Sequence, residues 1–129
     1  MTVSLDTNVV IRLFIQDNQR QSEAALTALE KYDSIYISDI ALVETVYGLA
    51  YHYKLGRKEA VKRIETLLGL PKINCNKLLF RQALPFFVAN PALSIEDCCM
   101  ATYAELNNAT PLLTFDKKLA NQLPHTELL

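Results

Sequence analysis

The feature that most constrains this chain is a repeated switch of hydrophobic period. Short β-prone runs at 2–5, 35–37 and 111–114 alternate with longer stretches whose apolar residues recur every three or four positions. Strands separated by helices pair in parallel, so the pattern predicts the α/β class with a short, mainly parallel sheet. Helices are expected over about 8–15 and 19–32, the second carrying an apolar stripe of Ala25, Leu29 and Tyr32. Ser38 reads as the N-cap of a helix that runs to about residue 54 and is stopped by Gly56. The next helix runs to Leu68, with Val61, Ile64 and Leu68 on one side and Lys58, Lys62 and Glu65 on the other. A strand near Ile73 precedes a helix that Pro85 must kink or end. Ser94 opens a helix to about residue 107, a short helix spans 116–122, and a last strand is expected at 126–128.

Nothing along the 129 residues reads as a linker or an internal repeat, so a single domain, 1–129, is expected. Half of the residues are hydrophobic and 21% are charged, which excludes the disordered and low-complexity classes. Thirteen Lys and Arg against fourteen Asp and Glu leave a formal charge of −1, so no global basic field points to a polyanion. The three cysteines form no C-x-x-C, and neither His52 nor His125 stands at metal-type spacing from any of them. Reduced thiols in a cytoplasmic protein are the simplest reading. The absence of a basic leader and of any apolar run of about 18 residues predicts no membrane partner.

In parallel sheets ligands bind beyond the carboxyl ends of the strands, which directs attention to the residues there. Asp6 follows the first strand and Asp116 follows Pro111-Leu-Leu-Thr114, so both are expected on the same rim of the sheet. Ile40, Glu44, Tyr47 and Tyr51 share one face of a helix, so Glu44 is expected to interrupt an apolar stripe. A carboxylate buried there without a partner costs several kcal/mol, as an order of magnitude, and calls for a cation. Asp97 lies in the first turn of its helix on a side shared with Ala101 and Ala104, small residues that allow close approach of a neighbouring helix.

Each acid also has a plainer role. Asp6 and Asp116 can cap the helices that follow them, Ser94 and Asp97 fit a capping box, and Glu44 can pair with an arginine. Four acids converging on one rim are less easily explained that way. Clustered carboxylates repel one another, and a hard divalent cation relieves the repulsion. With no His or Cys among them, Mg²⁺ or Mn²⁺ suits the set better than Zn²⁺.

These segments resemble the motifs of PIN-domain nucleases. Leu5-Asp6-Thr7-Asn8-Val9-Val10 is similar to the opening motif, and Ser38-Asp39-Ile40-Ala41-Leu42-Val43-Glu44 to the second-acid segment. Glu96-Asp97 before an alanine-containing helix, then Leu113-Thr114-Phe115-Asp116-Lys117-Lys118-Leu119, complete the pattern in family order. The resemblance spans essentially the whole chain, and the single-domain size is similar to that of VapC-type toxins of toxin–antitoxin pairs.

The resemblance implies a three-layer α/β/α fold and Mg²⁺- or Mn²⁺-dependent cleavage of RNA. Carried over by position, Asp6, Glu44, Asp97 and Asp116 form the acidic quartet, and Asn8 and Thr114 match polar positions that support it. Lys118 stands where some members carry a further acid, so Asp116 has fewer acids behind it, and whether it meets metal directly or only through water stays open at this point. Glu96 points about 100° away from Asp97 and is read as solvent-facing. Arg12, Lys117 and Lys118 are candidate phosphate contacts, with solvated surface charge as the plainer reading. A cognate antitoxin and a homodimer are the partners that the resemblance implies.

Other classes remain open at this point. A phosphatase-type phosphoryl-transfer domain also places an Asp after its first strand, but usually with a second Asp two positions on, where this chain has Asn8. A response-regulator domain needs paired acids after its first strand, which are absent. A catalytically silent binding module of the same fold is the third alternative. Glu59 and Arg63 read as a solvated i, i+4 pair, Tyr47, Tyr51 and Tyr53 as core and interface rather than base-stacking platforms, and Phe86-Phe87-Val88 as a core segment.

Overall fold

Ile35, fully buried, is the centre of a small parallel ladder. In the computed structural model, which describes every residue from Met1 to Leu129, backbone contacts divide the chain into two compact units, Met1–Asn76 and Lys77–Leu129. The first contains β1 (Thr2–Ser4), α1 (Thr7–Arg12), α2 (Gln19–Lys31), β2 (Ser34–Tyr36), α3 (Asp39–Tyr47), a π-helical turn (Gly48–His52), α4 (Arg57–Leu68) and β3 (Ile73–Asn74). Its strands lie in the order β1-β2-β3, all parallel, with Val3 opposite Ile35 and Ile35 opposite Ile73. Ser34 ties the three together on the solvent side, its hydroxyl accepting from Thr2 Oγ1 at 2.9 Å and from Asn74 Nδ2 at 2.8 Å.

The second unit contains α5 (Lys77–Ala89), α6 (Ile95–Leu106), β4 (Leu112–Thr114), α7 (Lys117–Gln122) and β5 (Thr126–Leu128). Its two strands pair in parallel, with Leu113 opposite Glu127. Helices α5 and α6 pack on each other, and α6 and α7 both contact β4. Phe80, Leu84 and Phe87 of α5 and Cys98 of α6 are fully buried. The chain is thus of the expected α/β class with short parallel strands, but the ladders are two rather than one.

Helical patterning is accurate for α4, where Val61, Ile64 and Leu68 are buried, Lys58, Lys62 and Glu65 are exposed, and Glu59 pairs with Arg63 at 3.2 Å. Phe87 is buried as expected, with Phe86 and Val88 half-buried. One local expectation needs correction. Gly56 is not the stop of α3 but the N-cap of α4, at φ 79° and ψ 167°, a region open essentially to glycine alone. Of the kink or end expected at Pro85, the end does not occur, since α5 continues to Ala89. Pro85 is exposed, so the carbonyl that its missing N–H leaves behind can be hydrated.

Candidate active site

The parallel ladder leads directly into the first acid. Leu5 extends β1 by donating its N–H to the Tyr36 carbonyl at 3.1 Å, and the chain then turns into α1 at Asp6. Asp6 is the N-cap, in extended conformation, and its Oδ1 accepts from Thr7 N at 2.8 Å while its carbonyl accepts from the N–H groups of Val9 and Val10. The side chain is exposed at the carboxyl end of β1, where parallel sheets bind ligands.

Glu44 comes from α3, which Ser38 caps by accepting from Ala41 N at 3.1 Å. Helices α1 and α3 are in contact, and close enough that a Cβ added at Gly48 would lie 3.2 Å from Ile11 Cδ1. Across this contact Thr7 Oγ1 donates to Glu44 Oε1 at 3.2 Å. One threonine therefore holds both carboxylates, Asp6 through its backbone N–H and Glu44 through its hydroxyl.

The face carrying Glu44 is not the inward one. Ile40 is 73% exposed, Tyr47 57% and Tyr51 45%, whereas Ala41, Leu42, Thr45, Val46 and Leu49 are buried. This segment is apolar nearly all round, so two faces satisfy the helical period, and the smaller aliphatic side chains take the core. Exposure leaves Glu44 hydrated, with no burial penalty to offset.

In the second unit Asp97 and Asp116 each sit at the start of a helix. Asp97 closes the capping box of α6, its Oδ2 accepting from Ser94 N at 3.2 Å while Ser94 Oγ accepts from Asp97 N at 3.0 Å. Asp116 caps α7, its Oδ1 accepting from Lys118 N at 2.9 Å and Leu119 N at 3.3 Å. Thr114 supports it by accepting from Asp116 N at 3.0 Å. Asp97 is half-buried and Asp116 exposed, and Glu96 is exposed as its angle on the helix predicts.

Asn8 is exposed beside Asp6 and lines a cavity of about 400 Å³ with Val9, Arg12, Gln21, Ala24 and Ala25. Arg12 is committed within this cavity, paired with Asp17 and donating through Nε to Gln21 Oε1 at 2.9 Å. That leaves Lys117 and Lys118, both exposed, as the other cations beside a candidate acid. The residue that reading the sequence missed is Thr7. Its position directly after Asp6 was visible, but its partner lies 37 residues away.

Neither unit by itself gathers three His, Cys, Asp or Glu side chains into a metal-holding group. The first unit does supply two exposed carboxylates tied to one threonine, an all-oxygen donor set. Mg²⁺ is commonly held by one or two carboxylates, with waters and substrate phosphates completing its shell, so this pair fits such an ion. No helix of the chain is long and apolar enough to cross a membrane. No curated protein matches the sequence. The family model described as PIN domain matches residues 3–122, from β1 through α7. With nearly the whole chain matched, this protein belongs to the PIN domain family, whose members are commonly metal-dependent nucleases.

Proposed function

We propose that this chain is a Mg²⁺- or Mn²⁺-dependent endoribonuclease that acts in the cytoplasm as the toxin of a toxin–antitoxin pair, with Asp6, Glu44, Asp97 and Asp116 as its acidic quartet. The observation that supports it most is the Asp6–Thr7–Glu44 linkage at the carboxyl end of β1. Asp6 and Glu44 would hold the cation. A bound divalent ion supplies an activated water and offsets charge on the scissile phosphate and the leaving oxygen.

The chain's own residues have distinct tasks in this reading. Thr7 fixes the Glu44 carboxylate in one orientation, so the pair need not be ordered when substrate arrives. Asn8 presents an exposed amide beside Asp6 for a phosphate or ribose oxygen. Thr114 holds the backbone of Asp116, and Lys117 and Lys118 offer positive charge to an approaching phosphate. Neither histidine lies in the motifs, so proton transfer falls to water and the carboxylates.

The toxin assignment adds a cognate antitoxin and a homodimer as partners. Two experiments test the reading separately. The purified chain should cut RNA with Mn²⁺ or Mg²⁺ and stop when EDTA is added. Expression of the chain alone should slow growth of the host cell. Normal growth despite abundant folded protein would remove the toxin role while leaving the nuclease standing.

A further inference from the structure

The exposed face of α3 and the π-helical turn carries more aromatic surface than solvent contact favours. The Tyr47 and Tyr51 rings lie 5.3 Å apart, tilted by 41°, and both are exposed. They are three and seven residues beyond Glu44 on the same face, so they lead away from the carboxylate as a short track. The helix widens to π geometry at Gly48–His52, where Tyr53 donates its N–H to the Gly48 carbonyl at 2.9 Å. Such turns are uncommon and occur often at functional sites.

Charge along this track has one sign. From Thr45 to Lys58 there is no acid, while Lys54, Arg57 and Lys58 are cationic. The Arg57 guanidinium lies over the Tyr51 ring, 5.6 Å from its centroid, and Lys54 and Lys58 are exposed. Aromatic rings interleaved with cations are what a single-stranded nucleic acid uses: bases stack on the rings and phosphates follow the charge.

From this we infer that Tyr47 and Tyr51 form a stacking platform for a base of single-stranded RNA, with Lys54 and Lys58 on its backbone, leading the strand to Glu44. The inference rests on the ribonuclease reading for its substrate. Stacking on a ring is tolerant of base identity, so the platform sets strand position rather than sequence preference. Tyr47 and Tyr51 are positioning residues in this scheme.

The test is RNA binding in EDTA, where no cleavage occurs. Affinity of the full chain is measured by anisotropy for a labelled single-stranded RNA and for the same strand made abasic across its centre. The intact strand should bind about tenfold more tightly than the abasic one. Tyr47→Ala and Tyr51→Ala should each narrow that gap, and Tyr47→Phe and Tyr51→Phe should keep it. Both tyrosines are exposed, so folding is checked by circular dichroism alone. Lys54→Gln with Lys58→Gln should flatten the dependence on salt, by a slope of about 0.7 for each lost phosphate contact. A wild-type chain that does not distinguish the two strands overturns the proposal. So do alanine variants that keep the gap, including any that change only the oligomeric state. Wild-type cleavage in Mn²⁺ is measured in parallel. Cleavage without the gap removes the platform and spares the nuclease, and the gap without cleavage does the reverse.

Discussion

Thr7 donates its hydroxyl to Glu44 at 3.2 Å across 37 positions of sequence, while its own N–H is held by Asp6. That double attachment makes Thr7 the hinge on which the two carboxylates are set. Thr7→Val keeps the shape and the backbone cap but removes the hydroxyl donor. Loss of one exposed hydrogen bond costs about 1 kcal/mol of stability or less. Groups that orient metal ligands matter more to activity, so metal-dependent RNA cleavage should fall about tenfold or further. Thr7→Ser should stay near wild type. Initial cleavage rates beside thermal denaturation curves separate the two effects.

Asp97 combines a structural role with a proposed chemical one, and substitution can divide them. Asn at 97 still offers an oxygen to Ser94 N, so the capping box of α6 survives in Asp97→Asn. That variant should fold at nearly wild-type stability and lose cleavage. Ser94→Ala removes the other half of the box and should cost about 1 kcal/mol with the carboxylate still in place. Denaturant titration and an RNA cleavage assay on both proteins check the contrast.

Gly56 stands at φ 79° and ψ 167° as the N-cap of α4. A Cβ there meets no atom within 4 Å, so the cost of a side chain is conformational rather than steric. Gly56→Ala should destabilise the chain by 1–3 kcal/mol, as an order of magnitude. A shift in urea midpoint at unchanged slope is the expected signature.

Phe80 and Phe87 are fully buried in α5, which packs on α6. Truncation of either to alanine should cost about 3–5 kcal/mol, through lost transfer energy and the cavity left behind. Phe86→Ala, at a half-buried neighbour, should cost less. Urea unfolding of the three variants ranks them directly.

What the sequence made legible was local. Asp6 and Asp116 cap helices because short side chains answer N–H groups one to three residues on, and Asp97 reaches back three residues to Ser94 N in a capping box; both geometries are visible in the order of residues. The α/β class followed from the change of period, which each segment carries within itself. The inward face of α3 did not, because Ile40, Tyr47 and Tyr51 satisfy the helical period as well as Leu42, Val46 and Leu49 do. Packing decides between them, against α4 and against α1, where Gly48 lies close on Ile11. The Thr7–Glu44 bond depends on that same contact, so nothing in either motif announces it.

Cleavage of single-stranded RNA by the purified chain in Mn²⁺, with Glu44→Gln and Asp6→Asn beside the wild type, tests the acid pair most directly. Wild-type cleavage that stops with EDTA, and is lost in both folded variants, is the predicted result. Cutting at the wild-type rate by either variant would contradict it, since the linked carboxylates would then have no part in the reaction.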